Sequence, residues 1–166
     1  MRRIATVLAA ATFGIALGVA PAFADSPHFL FANNSVSSTT GALTTAFKDA
    51  GLGTGTSSVQ ISLTVDNASA VYQCFNNGGN HPKAGNKTTV SQSLNTTGTF
   101  PVRNGQTTGS LTVGPPGPGS FSCPNGQTLY LQSVTYTGTN VSDATGNTFH
   151  ATPDPIGTGN IHIAVG

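Results

Sequence analysis

The run VQISLTV, Val59 to Val65, sets apolar side chains strictly against polar ones. An extended chain, whose side chains point to alternate faces, puts Val59, Ile61, Leu63 and Val65 on one side and Gln60, Ser62 and Thr64 on the other. This predicts a strand with one buried and one wet face. Asp66-Asn67 then has turn chemistry, and SAVYQCF resumes the alternation through Ala70, Tyr72 and Cys74, which predicts an antiparallel hairpin. TVSQSL and GTFPV lead to Asn104-Gly105, a dipeptide that suits a type I′ turn because both central positions take positive φ. That turn predicts Phe100–Val102 beside Leu111–Val113. TLYLQSVTYT changes parity between Leu131 and Val134, the mark of a bulge. HFLFA, ALTTAFK, NTFHAT and NIHIAV complete the set, and no stretch carries the apolar stripe of an amphipathic helix. The abundant threonines, being β-branched, favour a pleated surface. About eight to ten short strands in one domain predict an all-β fold, a two-layer antiparallel β-sandwich, Ig-like or jelly-roll-like.

The ends and the charge bound what such a sandwich does. Residues 1–24 open with Arg2 and Arg3, continue through an apolar run from Ile4 to Ala20, and end in Ala22-Phe23-Ala24. This is the order of a secretory signal peptide, which predicts a mature domain over 25–166 and a secreted, extracellular location. Beyond that segment Lys48, Lys83, Lys87 and Arg103 face five aspartates, and glutamate is absent from the chain. No basic stripe is available to release counterions from nucleic acid, and no polybasic or lipidated anchor would hold the mature protein to a membrane. It is expected to be a monomer.

Cys74 and Cys123 are the two cysteines, and in an oxidising compartment they are expected to form a disulfide. Closing a loop of about 50 residues stabilises a fold by up to about 4 kcal/mol. Before the second cysteine the chain reads GPPGPGSFSCPNG, Gly114 to Gly126. Glycine recurs at 114 and 117 but Ser120 breaks the frame, so a collagen triple helix is excluded. The prolines instead predict an irregular bend that ends a strand at Val113 and directs Phe121 and Cys123 towards Cys74. Each cysteine runs directly into an Asn/Gly-rich loop, FNNGGNHPKAGNK and PNGQT. A disulfide would gather both at one end of the sandwich, where loops commonly carry recognition. The candidate binding residues are therefore Asn76, Asn77, His81, Lys83, Lys87 and Asn125, against the plainer reading of a solvated connection whose Asn and Gly accommodate left-handed backbone.

Residues for catalysis are sparse. The aspartates are scattered, the Gly-x-Ser-x-Gly elbow is missing, and His28, His81, His150 and His162 have no metal-ligand spacing. His150 and Asp154 are four apart but Pro153 and Pro155 interrupt any regular element there, and DATGN, Asp143 to Asn147, reads as a turn rather than a calcium loop. No metal or other cofactor is expected, and no catalytic residue is assigned. CFNNGGNHPKAGNK, FSCPNGQTL and the signal peptide together resemble small secreted bacterial proteins of unassigned function. The order AGL, QC, GSLTV and C also resembles the Ig-like apoproteins of enediyne antibiotics, which implies a small molecule carried in a cleft, although those proteins have two disulfides and this chain can form one. The expected function is thus a non-enzymatic extracellular binding or cell-envelope module facing a cell-wall or glycan surface. The alternatives are a small-ligand carrier and a small secreted hydrolase whose triad is assembled by tertiary contact.

Overall fold

The computed structural model describes residues 26–76 and 82–165, with the backbone alone for 82–85. The signal segment lies outside the described residues. Nine strands follow in order: β1 His28–Val36, β2 Leu43–Ala50, β3 Ser58–Asn76, β4 Pro82–Pro101, β5 Gln106–Val113, β6 Gln127–Asp143, β7 Thr148–His150, β8 Ile156–Thr158 and β9 Ile163–Ala164. Two antiparallel sheets result. Sheet A has the order β1-β2-β5, and sheet B the order β4-β3-β6-β7, with β8 and β9 also on β6. No helix occurs among the described residues. The all-β two-layer sandwich is as the alternation predicts.

Side-chain alternation decides which face each sheet buries. From β3, Val59, Ile61, Leu63, Val65, Ala68, Ala70, Tyr72 and Cys74 point inward, and from sheet A, Phe29, Leu43, Phe47, Leu111 and Val113 meet them. The outer face of sheet B is instead a ladder of small polar groups. Its rungs include Thr97–Ser62–Ser142, Asn95–Thr64–Asn140 and Ser91–Ser69–Thr135, and the Ser62 and Thr97 hydroxyls are 2.9 Å apart.

Two expectations are corrected. Asp66-Asn67 is not a turn: β3 runs straight through as 19 residues, with Asp66 and Asn67 both exposed in a bulge against β4. Strand β6 carries an extra residue at the same level, where Thr137 and Gly138 separate the buried Tyr136 and Thr139. The two irregularities compensate, so the β3–β6 register is unbroken from Val65↔Thr139 to Asn67↔Thr137. TVSQSL and GTFPV are likewise one 20-residue strand, β4, so the long strands are not short segments.

The Asn104-Gly105 turn forms as predicted, with φ of 51° and 69° and reciprocal Arg103–Gln106 backbone bonds. Its arms do not continue as a ladder, however, because β4 pairs with β3 and β5 with β2. The turn is a corner between the sheets. Phe100 fills that corner against Phe47, ring centroids 4.9 Å apart and perpendicular, over Gly109, where a Cβ would overlap its ring. At the other side, Asn34 N–H donates to Thr152 carbonyl at 2.8 Å and Thr152 N–H to Ala32 carbonyl at 3.0 Å, which ties β1 to the β7–β8 connection. One flank of the sandwich is therefore closed by ring packing and the other by main-chain hydrogen bonds.

The parity change at Leu131–Val134 is a bulge, as expected: the β3–β6 register steps between Val71↔Ser133 and Tyr72↔Leu131. The proline-rich segment ends β5 at Val113 and forms no strand before Gln127. Tyr72 Oη donates to Pro116 carbonyl at 2.5 Å, which pins this bend over the part of sheet B that sheet A leaves uncovered. Burial pushes the phenols of Tyr72 and Tyr136 up, Tyr136 to about 12, so both stay neutral donors.

Candidate functional site

The staple joins Cys74, near the end of β3, to Cys123, with Cα atoms 5.6 Å apart. It brings the C-terminal end of β3 and the start of β6 to one end of the sandwich. Of the sequence-predicted residues, Asn76, Lys87 and Asn125 are exposed there. Asn77 and His81 lie outside the described residues, as does the side chain of Lys83. Asn125 sits in the turn Pro124-Asn125-Gly126-Gln127, closed by Gln127 N–H to Pro124 carbonyl at 3.1 Å, with Gly126 at φ 83°. That is the type II pattern, which needs glycine at its third position.

Side-chain amides tie the strand ends together. Gln127 Nε2 donates to Asn76 Oδ1 at 3.2 Å, and Asn86 Nδ2 donates to Gln127 Oε1 at 3.0 Å. The three residues belong to β3, β4 and β6, so the amide row spans three adjacent strands at the rim. Gln127, which the PNGQT pattern assigns to a loop, starts β6 directly opposite Asn76. On the other face of the same sheet end, Lys87 lies opposite Gln73, and Gln73 opposite Tyr130.

Tyr130 belongs to a ring cluster that local sequence reasoning missed. Its ring stacks on His162 with centroids 3.7 Å apart and planes 18° from parallel. Phe75 meets both edge-on, at 5.4 Å from Tyr130 and 4.5 Å from His162. The His162 Nδ1 accepts from Gln132 Nε2 at 3.1 Å, which fixes the imidazole plane against the tyrosine. Alternation in TLYLQ already assigns Tyr130 to the face opposite Leu131. No local pattern could bring it His162, which arrives with the short strand β9.

The other titratable groups sit elsewhere. His150, exposed and outside any helix, still lies with Nε2 3.2 Å from Asp154 Oδ2. The Asp154 carboxylate also accepts from Gly138 N–H at 3.2 Å and Thr139 N–H at 2.7 Å, so it braces the β6 bulge. Asp143 Oδ1 accepts from Thr145 N–H, Thr145 Oγ1 and Asn147 N–H, and Oδ2 from Asn147 Nδ2, which spends both oxygens on the β6–β7 turn as a plain hairpin reading requires. No group of metal-binding side chains occurs among the described residues. Asp49 is fully buried on the inner face of β2; burial, and then the neighbouring Asp143 carboxylate, push its pKa up to about 6.

At the disulfide end, then, sheet B presents Lys87 and a stacked aromatic pair on its outer face, and a polar amide row at the strand ends of the other face. Such a surface can hydrogen-bond and stack on a polyhydroxy ligand. Comparison of the chain with protein-family models, with curated proteins and with solved structures returns no match.

Proposed function

We propose that the protein is an exported, non-enzymatic binding module that engages a cell-wall or glycan surface through the disulfide end of its sandwich. The observation that carries this reading is the Tyr130–His162 stack at the same end of sheet B as the Asn76–Gln127–Asn86 amide row. Amides supply donors and acceptors matched to sugar hydroxyls, and rings supply an apolar face for the C–H side of a sugar. The disulfide is compatible with an extracellular location.

The test is co-sedimentation with insoluble peptidoglycan and with chitin particles. Binding to either is expected, and Tyr130→Ala should weaken it about fivefold, the worth of one aromatic contact. Gln127→Ala, which removes the centre of the amide row without touching the rings, should weaken it similarly. Binding that survives both substitutions unchanged would place the contact surface elsewhere.

A further inference from the structure

A concavity of about 300 Å³ opens at the far end of the molecule from the disulfide, lined by Lys48, Pro101, Arg103, Gln106, Thr107 and Thr108. Lys48 on β2 lies directly opposite Thr108 on β5, and Arg103 opposite Gln106 across the type I′ turn. Each polar side chain is thus mounted on hydrogen-bonded backbone rather than on a loose loop. Pro101 carbonyl, an acceptor at the wall, already receives Thr107 Oγ1 at 2.9 Å. The remaining polar groups are an ammonium, a guanidinium, a carboxamide and a hydroxyl, a set rich in donors.

The charge at this wall is uncompensated. Neither Lys48 nor Arg103 makes an ion pair among the described residues. Asp49, the next residue after Lys48, projects to the opposite, inner face of the same strand. Beyond the signal segment the sequence has four basic side chains, Lys48, Lys83, Lys87 and Arg103, and two of them converge here. In a chain so sparing of charge, two unpaired cations facing one hollow form an anion-attracting wall. The planar guanidinium offers a fork that matches a carboxylate or phosphate, and the ammonium adds a mobile point charge.

We infer that this concavity is a second binding site, an oxyanion subsite that takes a carboxylate or phosphate borne on a hydroxylated ligand, with Arg103 and Lys48 holding the anion and Gln106 and Thr108 the neighbouring hydroxyls. Along a strand rising about 3.3 Å per residue, the span from Ser58 to Cys74 sets it about 50 Å from the disulfide rim. The inference therefore stands or falls separately from the glycan reading of that rim.

The experiment is an amide NMR titration of the protein with glucuronate, glucose 6-phosphate and glucose. Saturable shifts at Gln106, Thr107 and Thr108 are expected with at least one of the two acids, and the tighter of them identifies the anionic group. Neutral glucose should shift these signals little. Lys48→Gln and Arg103→Gln should each weaken binding by about tenfold, the usual loss when one charged partner of a hydrogen-bonded anion is removed. The double variant should abolish it at unchanged Tm, and Lys87→Gln at the far rim should leave it intact. Glucose binding as tightly as the acids, no saturation by either acid, or acid binding that survives the double substitution would each overturn the assignment.

Discussion

Neither carboxylate oxygen of Asp49 has a hydrogen-bond partner of good geometry, and its side chain has no exposed surface. In ALTTAFKDA the alternation that buries Phe47 also buries Asp49, because residues two apart share a face. Parity thus outranks side-chain chemistry at this position. A buried carboxylate holds its proton, and the nearby Asp143 charge adds to that, with the Ala50 backbone N–H and then His28 as smaller opposing influences. The folded-state pKa of about 6 lies above the ordinary 3.8, so the folded state binds the extra proton between these values. The contribution of Asp49 to stability is accordingly fully present below about pH 4 and is lost as pH rises through about 6, by on the order of 2 kcal/mol. Asp49→Asn is expected to flatten this slope and to raise stability at pH 7 by about 1–2 kcal/mol. Urea unfolding of both proteins at pH 4 and pH 7 measures it; a parent protein more stable at pH 7 than at pH 4 by this carboxylate's contribution would reverse the sign.

The strands β3 and β6 explain why some boundaries were legible and others were not. The bulge at Gln132 announces itself as a parity change within one segment, Leu131 to Val134. Asp66-Asn67 has the composition of a turn, and only the facing strand decides against it. Gly138, at φ 70°, approaches Asp66 so closely that a Cβ there would overlap its carboxylate, and Asp154 braces the two amides at the same level. Two extra residues, one on each strand, are cheaper than reversing the chain when both strands have apolar partners further on. The Asn104-Gly105 dipeptide similarly dictates its own dihedrals but not which sheets its arms join. The corner instead depends on the ring of Phe100 occupying the space over Gly109. Gly109→Ala should displace that ring from Phe47 and cost about 1–3 kcal/mol, as overpacking of a filled core does. Thermal unfolding checks it, and Ser110→Ala, one residue along on the outer face, should change stability by less than about 0.5 kcal/mol.

At the scale of the molecule, the staple was legible because two cysteines in one chain admit one pairing, and the bend that delivers Cys123 was legible from its prolines. The rim that it organises was legible only in part. Asn76, Lys87 and Asn125 follow from their place after the cysteines, whereas the stack of Tyr130 on His162 requires strands distant in sequence to meet. Cys74→Ser with Cys123→Ser should lower stability by about 2–4 kcal/mol, the range for opening a loop of this length. Denaturant midpoints of the oxidised protein and the double variant measure it, and an unchanged midpoint would mean that Tyr72 and the packed bend hold the end closed without the bond. The hydroxyl and amide rungs on the outer face of sheet B have a consequence of another kind. A surface hydrated through Thr, Ser and Asn owes little of its affinity for water to charge, so ions that screen charge have little to act on. The colloidal behaviour of the protein should accordingly be governed by hydrogen bonding to solvent and change little between fresh water and brine.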